Sequence, residues 1–298
     1  MRGVYTALVT PMQKDGSLDL DAYKTILKQQ LAAKVDGVVV CGTTGESPTL
    51  DEDEKKQLIQ TALDELRGSK VKVIAGTGSN DTADSVSFSK WASSKGVDGV
   101  LVVTPYYNKP SQAGLEKHFL AVADAISCDL ILYNVPGRTG VSIAPETVLR
   151  LVEHKRITTL KEATGNIPVT SDILEKLHRN QKSIDVLSGD DLTFLPLLSA
   201  GAVGVISVVT NAIPKWFVEM YQAVEANDLK RATLLHRQFY SFCRDIFVES
   251  NPVPIKKAME WMGVCGPTVR APLAPMTAAS EKILKETMVQ CGLLKGGK

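Results

Sequence analysis

The chain has 298 residues, 44% of them hydrophobic and 22% charged, with a formal net charge of +1. That is the balance of a globular protein with a large core, without the basic surplus that nucleic acid or an anionic membrane surface would call for. Five scattered cysteines, Cys41, Cys128, Cys243, Cys265 and Cys291, lack Cys-x-x-Cys spacing and argue against a disulfide framework or a zinc site, and for reduced thiols in a cytoplasm.

The N-terminal residues are expected to be neither a signal peptide nor an anchor, since no apolar run there or elsewhere approaches the length of either. Residues 4–10 form the first strand candidate and lead into Pro11 and Met12. Tyr23, Ile26, Leu27 and Leu31 make one helical stripe. Residues 37–41 are a second strand candidate. Thr49-Leu50-Asp51-Glu52 reads as a capping box opening a helix with the stripe Leu58, Ile59, Ala62, Leu63 and Leu66. Further strand candidates are 71–75, 99–104, 130–134, 157–162, 184–188 and 204–208, and Pro145 suits the first turn of a helix. Gly37, Gly99 and Gly204 stand at strand starts, where loops from the preceding helices turn. The strand runs lack polar alternation, as expected for strands covered on both faces. The isolated histidines His118, His154, His178 and His236 lie on helical stretches and are expected on helix surfaces.

Eight strands with helices between them predict an α/β fold, a (β/α)8 TIM barrel over residues 1–227. A doubly wound sheet usually has fewer strands and a glycine-rich first turn, where this chain has Pro11-Met12. Residues 228–298 are expected to be a C-terminal helical extension, broken at Ser250-Asn251-Pro252-Val253-Pro254 and in the proline-rich stretch 267–275, with a loose end at Gly296-Gly297-Lys298.

In such a barrel catalytic groups gather at the C-terminal ends of the strands. There the sequence places Gly42-Thr43-Thr44-Gly45-Glu46-Ser47, Gly76-Thr77-Gly78, Thr104-Pro105-Tyr106-Tyr107-Asn108, Tyr133-Asn134, Arg138, Lys161, Ser188-Gly189-Asp190-Asp191 and Ile206-Ser207. Lys161 is the most informative of them. Lysine rarely enters a buried strand; a desolvated lysine loses preference for its ammonium form, and the neutral amine can attack a carbonyl to form a Schiff base. Taken alone, Lys161 reads as a strand-end lysine snorkelling to solvent. Gly42-Thr43-Thr44-Gly45 reads alone as a tight turn, or as an anion seat of backbone N–H groups and hydroxyls. Taken alone, Tyr106 and Tyr107 read as interface aromatics, Tyr133 as a packing residue with its hydroxyl satisfied locally, and Arg138 as a surface ion pair or a two-armed grip on a carboxylate. Asp190-Asp191 resembles a metal pair without a third ligand and is read as a helix cap. Gathered on one rim around a strand lysine, these groups describe a site for a small polar substrate.

The segments Gly42-Thr43-Thr44-Gly45-Glu46, Thr104-Pro105-Tyr106-Tyr107-Asn108, Leu132-Tyr133-Asn134-Val135-Pro136 and Lys161-Glu162-Ala163 resemble those of the pyruvate-dependent Schiff-base lyases, the barrel family of class I aldolases and N-acetylneuraminate lyases. The resemblance runs from Ala7 to the C-terminal helices. It implies that Lys161 forms an imine with pyruvate, whose carboxylate rests on Thr43 and Thr44. The derived enamine then adds to the aldehyde of L-aspartate-4-semialdehyde, and the substrate amine displaces Lys161 to close a ring. The product is 4-hydroxy-tetrahydrodipicolinate, the first committed step toward diaminopimelate and lysine. Protons are relayed by Tyr133, Thr43 and Tyr107, the last reaching across a subunit interface, which implies a dimer at minimum and usually a homotetramer of two tight dimers. The backbone at Ile206 closes on pyruvate and Gly189 leaves room near the lysine. No metal and no organic cofactor is implied, because the lysine imine is itself the electron sink.

Arg138 separates branches of this family: it would hold the semialdehyde carboxylate, whereas sialic-acid lyases and sugar-acid aldolases generally lack it. Those aldolases, and more distantly a non-catalytic barrel acting as a binding module, are the alternatives. The positions matching a regulatory lysine site are Ser47, Pro48, Glu52, Lys55, Asn80, Asp84 and Tyr106. Lys55 and Asp84 depart from strongly inhibited forms, which tend to have histidine or glutamate at the first and glutamate at the second. A fixed cation at Lys55 repels a lysine ligand and Asp84 reaches less far than glutamate, so inhibition by lysine is expected to be weak or absent.

Overall fold

The computed structural model describes residues 1–295; the expected loose end at 296–298 lies outside them. Eight parallel strands close into a barrel in chain order: β1 (Gly3–Ala7), β2 (Gly37–Val40), β3 (Lys72–Gly76), β4 (Gly99–Val103), β5 (Asp129–Asn134), β6 (Ile157–Glu162), β7 (Asp185–Ser188) and β8 (Gly204–Ser207). Each coincides with a predicted strand to within a few residues. Val4, Val38, Val39, Ile74, Val100, Val102, Leu130, Leu132, Leu160, Leu187 and Val205 are almost wholly buried, as strands covered on both faces require.

The chain groups into two compact units, one of Met1–Gly3 with Lys72–Ile206, the other of Val4–Val71 with the residues from Ser207 onward. The first carries β3 to β7 and most of β8, with helices α3 (Thr82–Ser94), α4 (Gln112–Ala125), α5 (Pro136–Thr139), α6 (Pro145–Leu151), α7 (Ile167–Arg179) and α8 (Phe194–Ser199). The second carries most of β1, β2, α1 (Leu20–Ala33), α2 (Glu52–Glu65) and the C-terminal helices α9 (Pro214–Glu225), α10 (Leu229–Asp245), α11 (Val253–Trp261) and α12 (Ala278–Gln290). Pro145 opens α6 at its first position, where its missing N–H costs nothing.

Several local expectations are corrected. β1 stops at Ala7 rather than Thr10: beyond it the backbone N–H of Val9 donates to Asn211 Oδ1 (3.1 Å) instead of a strand, and the Thr10 side chain bonds the Gly45 carbonyl (2.7 Å). The capping box of α2 is Asp51 with Glu54, two residues beyond the expected one: the Asp51 carboxylate accepts from Glu54 N–H (2.8 Å) and Glu54 accepts from Asp51 N–H (3.1 Å). On α1, Leu31 is exposed and Gln30 takes the buried position, accepting from the Thr6 hydroxyl (2.7 Å) and donating to the Thr210 carbonyl (3.1 Å). His118 is buried within α4 rather than on its surface, and His154 lies in the turn after α6.

The glycines at strand starts answer to close approach. A Cβ on Gly204 would lie 2.0 Å from the Gly3 carbonyl oxygen, and one on Gly99 would lie 2.7 Å from Met1 Cε. Two of these starts share the sequence Val-Asp-Gly-Val, at 35–38 and 97–100, and the aspartate does the same thing in both. Asp36 accepts the N–H of Val4 at the head of β1 (2.8 Å), and Asp98 accepts that of Val73 in β3 (2.8 Å). Each carboxylate thus satisfies a backbone donor of the preceding odd-numbered strand.

Candidate active site

Lys161 is the fifth residue of β6, only 6% exposed, in register with Tyr133 on β5 and Leu187 on β7. Its Nζ lies 4.1 Å from the centre of the Tyr133 ring. Gly189 follows β7 and lies against the same side chain. A Cβ there would come within 3.1 Å of Lys161 Cε and Cγ and 2.6 Å of Ala163 Cβ. The snorkelling reading of Lys161 therefore fails: its amine is held in the barrel strands beside a phenol ring.

The neighbouring residues face the other way, by the two-residue period of a strand. Asn134 and Glu162 are in register and bonded, Asn134 Nδ2 donating to Glu162 Oε2 at 2.8 Å. Glu162 also accepts the N–H of Thr164 (2.6 Å), and Asn134 Oδ1 accepts that of Ile143 (3.1 Å). This buried pair ties the ends of β5 and β6 together directly behind the lysine. Neither residue has a task legible in the sequence; a buried-type strand ending in Asn next to one ending in Lys-Glu is the one local signal.

The other groups of this unit sit on loops. Tyr107 follows β4 with a left-handed backbone (φ 70°) and is 90% exposed, an arrangement costly for an aromatic residue. Tyr106 before it is half-buried, and Asn108 after it donates to the Asn80 carbonyl (2.8 Å). Arg138 is exposed on the single turn α5, which is anchored by Thr139, whose hydroxyl accepts from Thr104 (3.1 Å) and donates to the Val141 carbonyl (2.9 Å). Ile206 is buried on β8. Asp190 and Asp191 do not cap α8, whose first residue follows Thr193. Asp190 instead accepts the N–H of Leu192 (2.9 Å) in a local turn, and burial raises its carboxyl pKa. Asp84 is exposed near the start of α3.

In the other unit, the segment after β2 turns sharply. Cys41 and Glu46 both have left-handed backbones (φ 57°), and Gly45 and Glu46 N–H groups donate to the carbonyls of Gly42 (3.0 Å) and Thr43 (3.1 Å). Thr43 is half-buried and Thr44 is buried. The Thr44 hydroxyl accepts from Asn251 Nδ2 at 3.0 Å. Glu46 forms a wholly buried ion pair with Lys256 (2.7 Å), and Lys256 also donates to the Thr10 carbonyl (2.9 Å). Burial pushes the Lys256 ammonium down in pKa, against the opposing pull of Glu46. The other Glu46 oxygen accepts the N–H of Arg270 (2.9 Å), whose guanidinium donates to the Thr49 and Gly16 carbonyls and pairs with Glu54. Ser47 and Pro48 lie on the 3-10 turn that follows, Glu52 and Lys55 on the first turns of α2. Asn251, Lys256 and Arg270 were missed by the sequence reading, although Lys256 stands on the apolar stripe of α11 between Val253 and Met259, where an unpartnered lysine is improbable.

The structure thus brings Lys161, Tyr133 and Gly189 into contact, and sets Thr44 in a separate buried network with Asn251. A family model described as the dihydrodipicolinate synthetase family matches residues 1–291. A 4-hydroxy-tetrahydrodipicolinate synthase of Geobacter metallireducens is 45% identical, over 98% of this chain and 99% of its own. A crystal structure of the chloride-inhibited dihydrodipicolinate synthase of Acinetobacter baumannii complexed with pyruvate is 37% identical with a TM-score of 0.94, over 98% of this chain and 99% of that one. A structure described as the first monomeric dihydrodipicolinate synthase variant is 39% identical with a TM-score of 0.95, over 99% and 98%.

Proposed function

The chain belongs to the dihydrodipicolinate synthetase family, and from that membership we propose how its own residues carry out the reaction. It is a lyase that condenses pyruvate with L-aspartate-4-semialdehyde in the biosynthesis of lysine and diaminopimelate, and the sugar-acid aldolase and binding-module readings are not favoured. The observation that carries the residue assignment is Lys161 itself, buried on β6 with its Nζ 4.1 Å from the Tyr133 ring centre and no side chain on the Gly189 side.

The Lys161 amine attacks the keto carbon of pyruvate. Water leaves and an imine forms, so the lysine supplies the electron sink and no further cofactor is needed. Thr43 and Thr44 receive the carboxylate, and the Ile206 backbone closes the other side. Loss of a methyl proton gives an enamine, whose carbon bonds to the aldehyde carbon of the second substrate while its oxygen takes up a proton. The substrate amine then adds to the imine carbon, and Lys161 leaves as the ring closes. Tyr133, Thr43 and Tyr107 relay the protons, which move at imine formation and again at ring closure. Arg138 holds the carboxylate of the semialdehyde. Exposure of 90% at Tyr107 supports a working form in which a second copy covers it, a dimer at minimum and a tetramer of two dimers in full. Among the described residues no helix is long and apolar enough to cross a membrane, and a cytoplasmic setting suits the scattered cysteines.

The test has two parts. Protein incubated with pyruvate and borohydride gains the mass of a reduced pyruvate adduct on Lys161. A coupled assay with pyruvate, the semialdehyde, the next reductase and NADPH shows turnover on the order of one per second or faster, lost in Lys161→Ala and crippled in Arg138→Ala. Full activity in Arg138→Ala overturns that residue's assignment, and adduct formation on Lys161→Ala overturns the mechanism.

A further inference from the structure

Asn251 interrupts the C-terminal helices, lies two residues before α11 and is buried, with its amide nitrogen 3.0 Å from the Thr44 hydroxyl oxygen. A carboxamide NH2 only donates, so in this bond the hydroxyl oxygen accepts. A threonine hydroxyl has a single proton, which the bond accepted from Asn251 does not use. We propose that Asn251 is a positioning residue of the keto-acid site: it fills the acceptor side of the Thr44 hydroxyl and so keeps that hydroxyl a donor toward a 2-keto-acid carboxylate.

The arrangement is rigid for reasons outside the bond itself. Two residues after Thr44, Glu46 is bound by Lys256 through a wholly buried ion pair, and Lys256 belongs to the helix that Asn251 precedes. The Thr10 carbonyl and the Arg270 N–H complete the same network. The turn carrying Thr44 is therefore gripped at two points by one short segment. A hydrogen bond made by buried, pre-ordered partners fixes a donor direction without a further loss of freedom when substrate arrives.

The inference rests on the reading that Thr44 receives the pyruvate carboxylate, and the experiment separates the two. Steady-state constants for pyruvate are measured on the full chain for Asn251→Ala, Asn251→Asp, Thr44→Val and the double variant Asn251→Ala/Thr44→Val. We expect Asn251→Ala to raise the KM for pyruvate about tenfold, the scale of one misdirected hydrogen bond to a charged group. kcat and the KM for the semialdehyde should stay within about twofold, a split that a merely structural residue would not produce. Asn251→Asp is near-isosteric, captures the Thr44 proton, and should raise KM at least as far; it decides the matter if the alanine variant does not fold. The double variant should be no worse than Thr44→Val alone. If Thr44→Val raises KM while both Asn251 variants leave it unchanged, or if the effects simply multiply, the positioning role is wrong and the Thr44 reading stands. If Thr44→Val leaves KM unchanged, both are wrong.

Discussion

His118 stands in the sequence three residues after Leu115 and four before Val122, on the helix face that packs inward, and in the structure it is 2% exposed. Its Nδ1 lies 3.0 Å from the Thr82 hydroxyl, and its Nε2 is buried without a partner among the described residues. Burial pushes the imidazole pKa down to about 4, with Asp81 pulling weakly the other way. Unfolded, the ring titrates near 6.5. Above that pH it is neutral in both states. Between there and about 4 the unfolded chain binds a proton that the folded chain refuses, so stability falls with acid, by on the order of 3 kcal/mol once pH 4 is reached. We expect the melting temperature to drop between pH 7 and pH 4, and to drop less in His118→Gln; equal slopes would falsify the assignment. The three- and four-residue spacing from Leu115 and Val122 was a local sign that His118 shares their buried face. An isolated polar residue was nevertheless read as exposed. The strand lysine was legible because burial of a lysine is itself improbable, whereas burial of a neutral histidine is ordinary.

At the scale of elements, the turn after β2 depends on a charge pair supplied by α11, more than two hundred residues later. Removing one partner of a buried pair costs more than the pair contributes, because the remaining charge is left without compensation. Lys256→Met is expected to lower unfolding stability in urea by about 3–5 kcal/mol. Adding Glu46→Gln to it should recover a substantial part. A loss below about 1 kcal/mol in the single variant would place the pair among the weak surface bridges instead. The existence and type of the strands could be read directly, since runs such as 37–40 and 99–103 are apolar throughout. Their ends could not. β1 ends where the Asn211 side chain, distant in sequence, takes the next backbone donor, Val9 N–H, and no local pattern announces such a partner. The two Val-Asp-Gly-Val segments were legible as strand starts, but the donor that each aspartate satisfies belongs to another strand.

For the molecule as a whole, the proposed mechanism has Tyr107, 90% exposed and held at φ 70°, work on a neighbouring copy. Lys161→Ala and Tyr107→Phe, each expected to be inactive, should then complement each other after subunit exchange, because a mixed dimer contains one site with both native residues. Random pairing should restore about a quarter of the sites; no recovery would assign Tyr107 to its own chain. The matching regulatory positions lie in both compact units: Ser47, Pro48, Glu52 and Lys55 in one, Asn80, Asp84 and Tyr106 in the other. With Lys55 on α2 and the short Asp84 on α3, we expect millimolar lysine to leave the rate nearly unchanged. A rate halved at that concentration would overturn this reading.

The sequence by itself determined the order and kind of the strands, the barrel class, and the strand lysine proposed to carry the chemistry. Each of these is written in local composition: apolar runs of strand length, helical stripes between them, and one cation where a buried strand should have none. Only the tertiary structure decided which residues pack and bond around that lysine and around the Thr44 turn. Asn134 and Glu162 behind the lysine, and Asn251, Lys256 and Arg270 around the Thr44 turn, are ordinary residue types in ordinary segments. Their roles come from contacts between positions tens to hundreds of residues apart. Hydrogen-bond direction, burial and close approach are properties of such pairs, and a one-dimensional pattern records only one member of each.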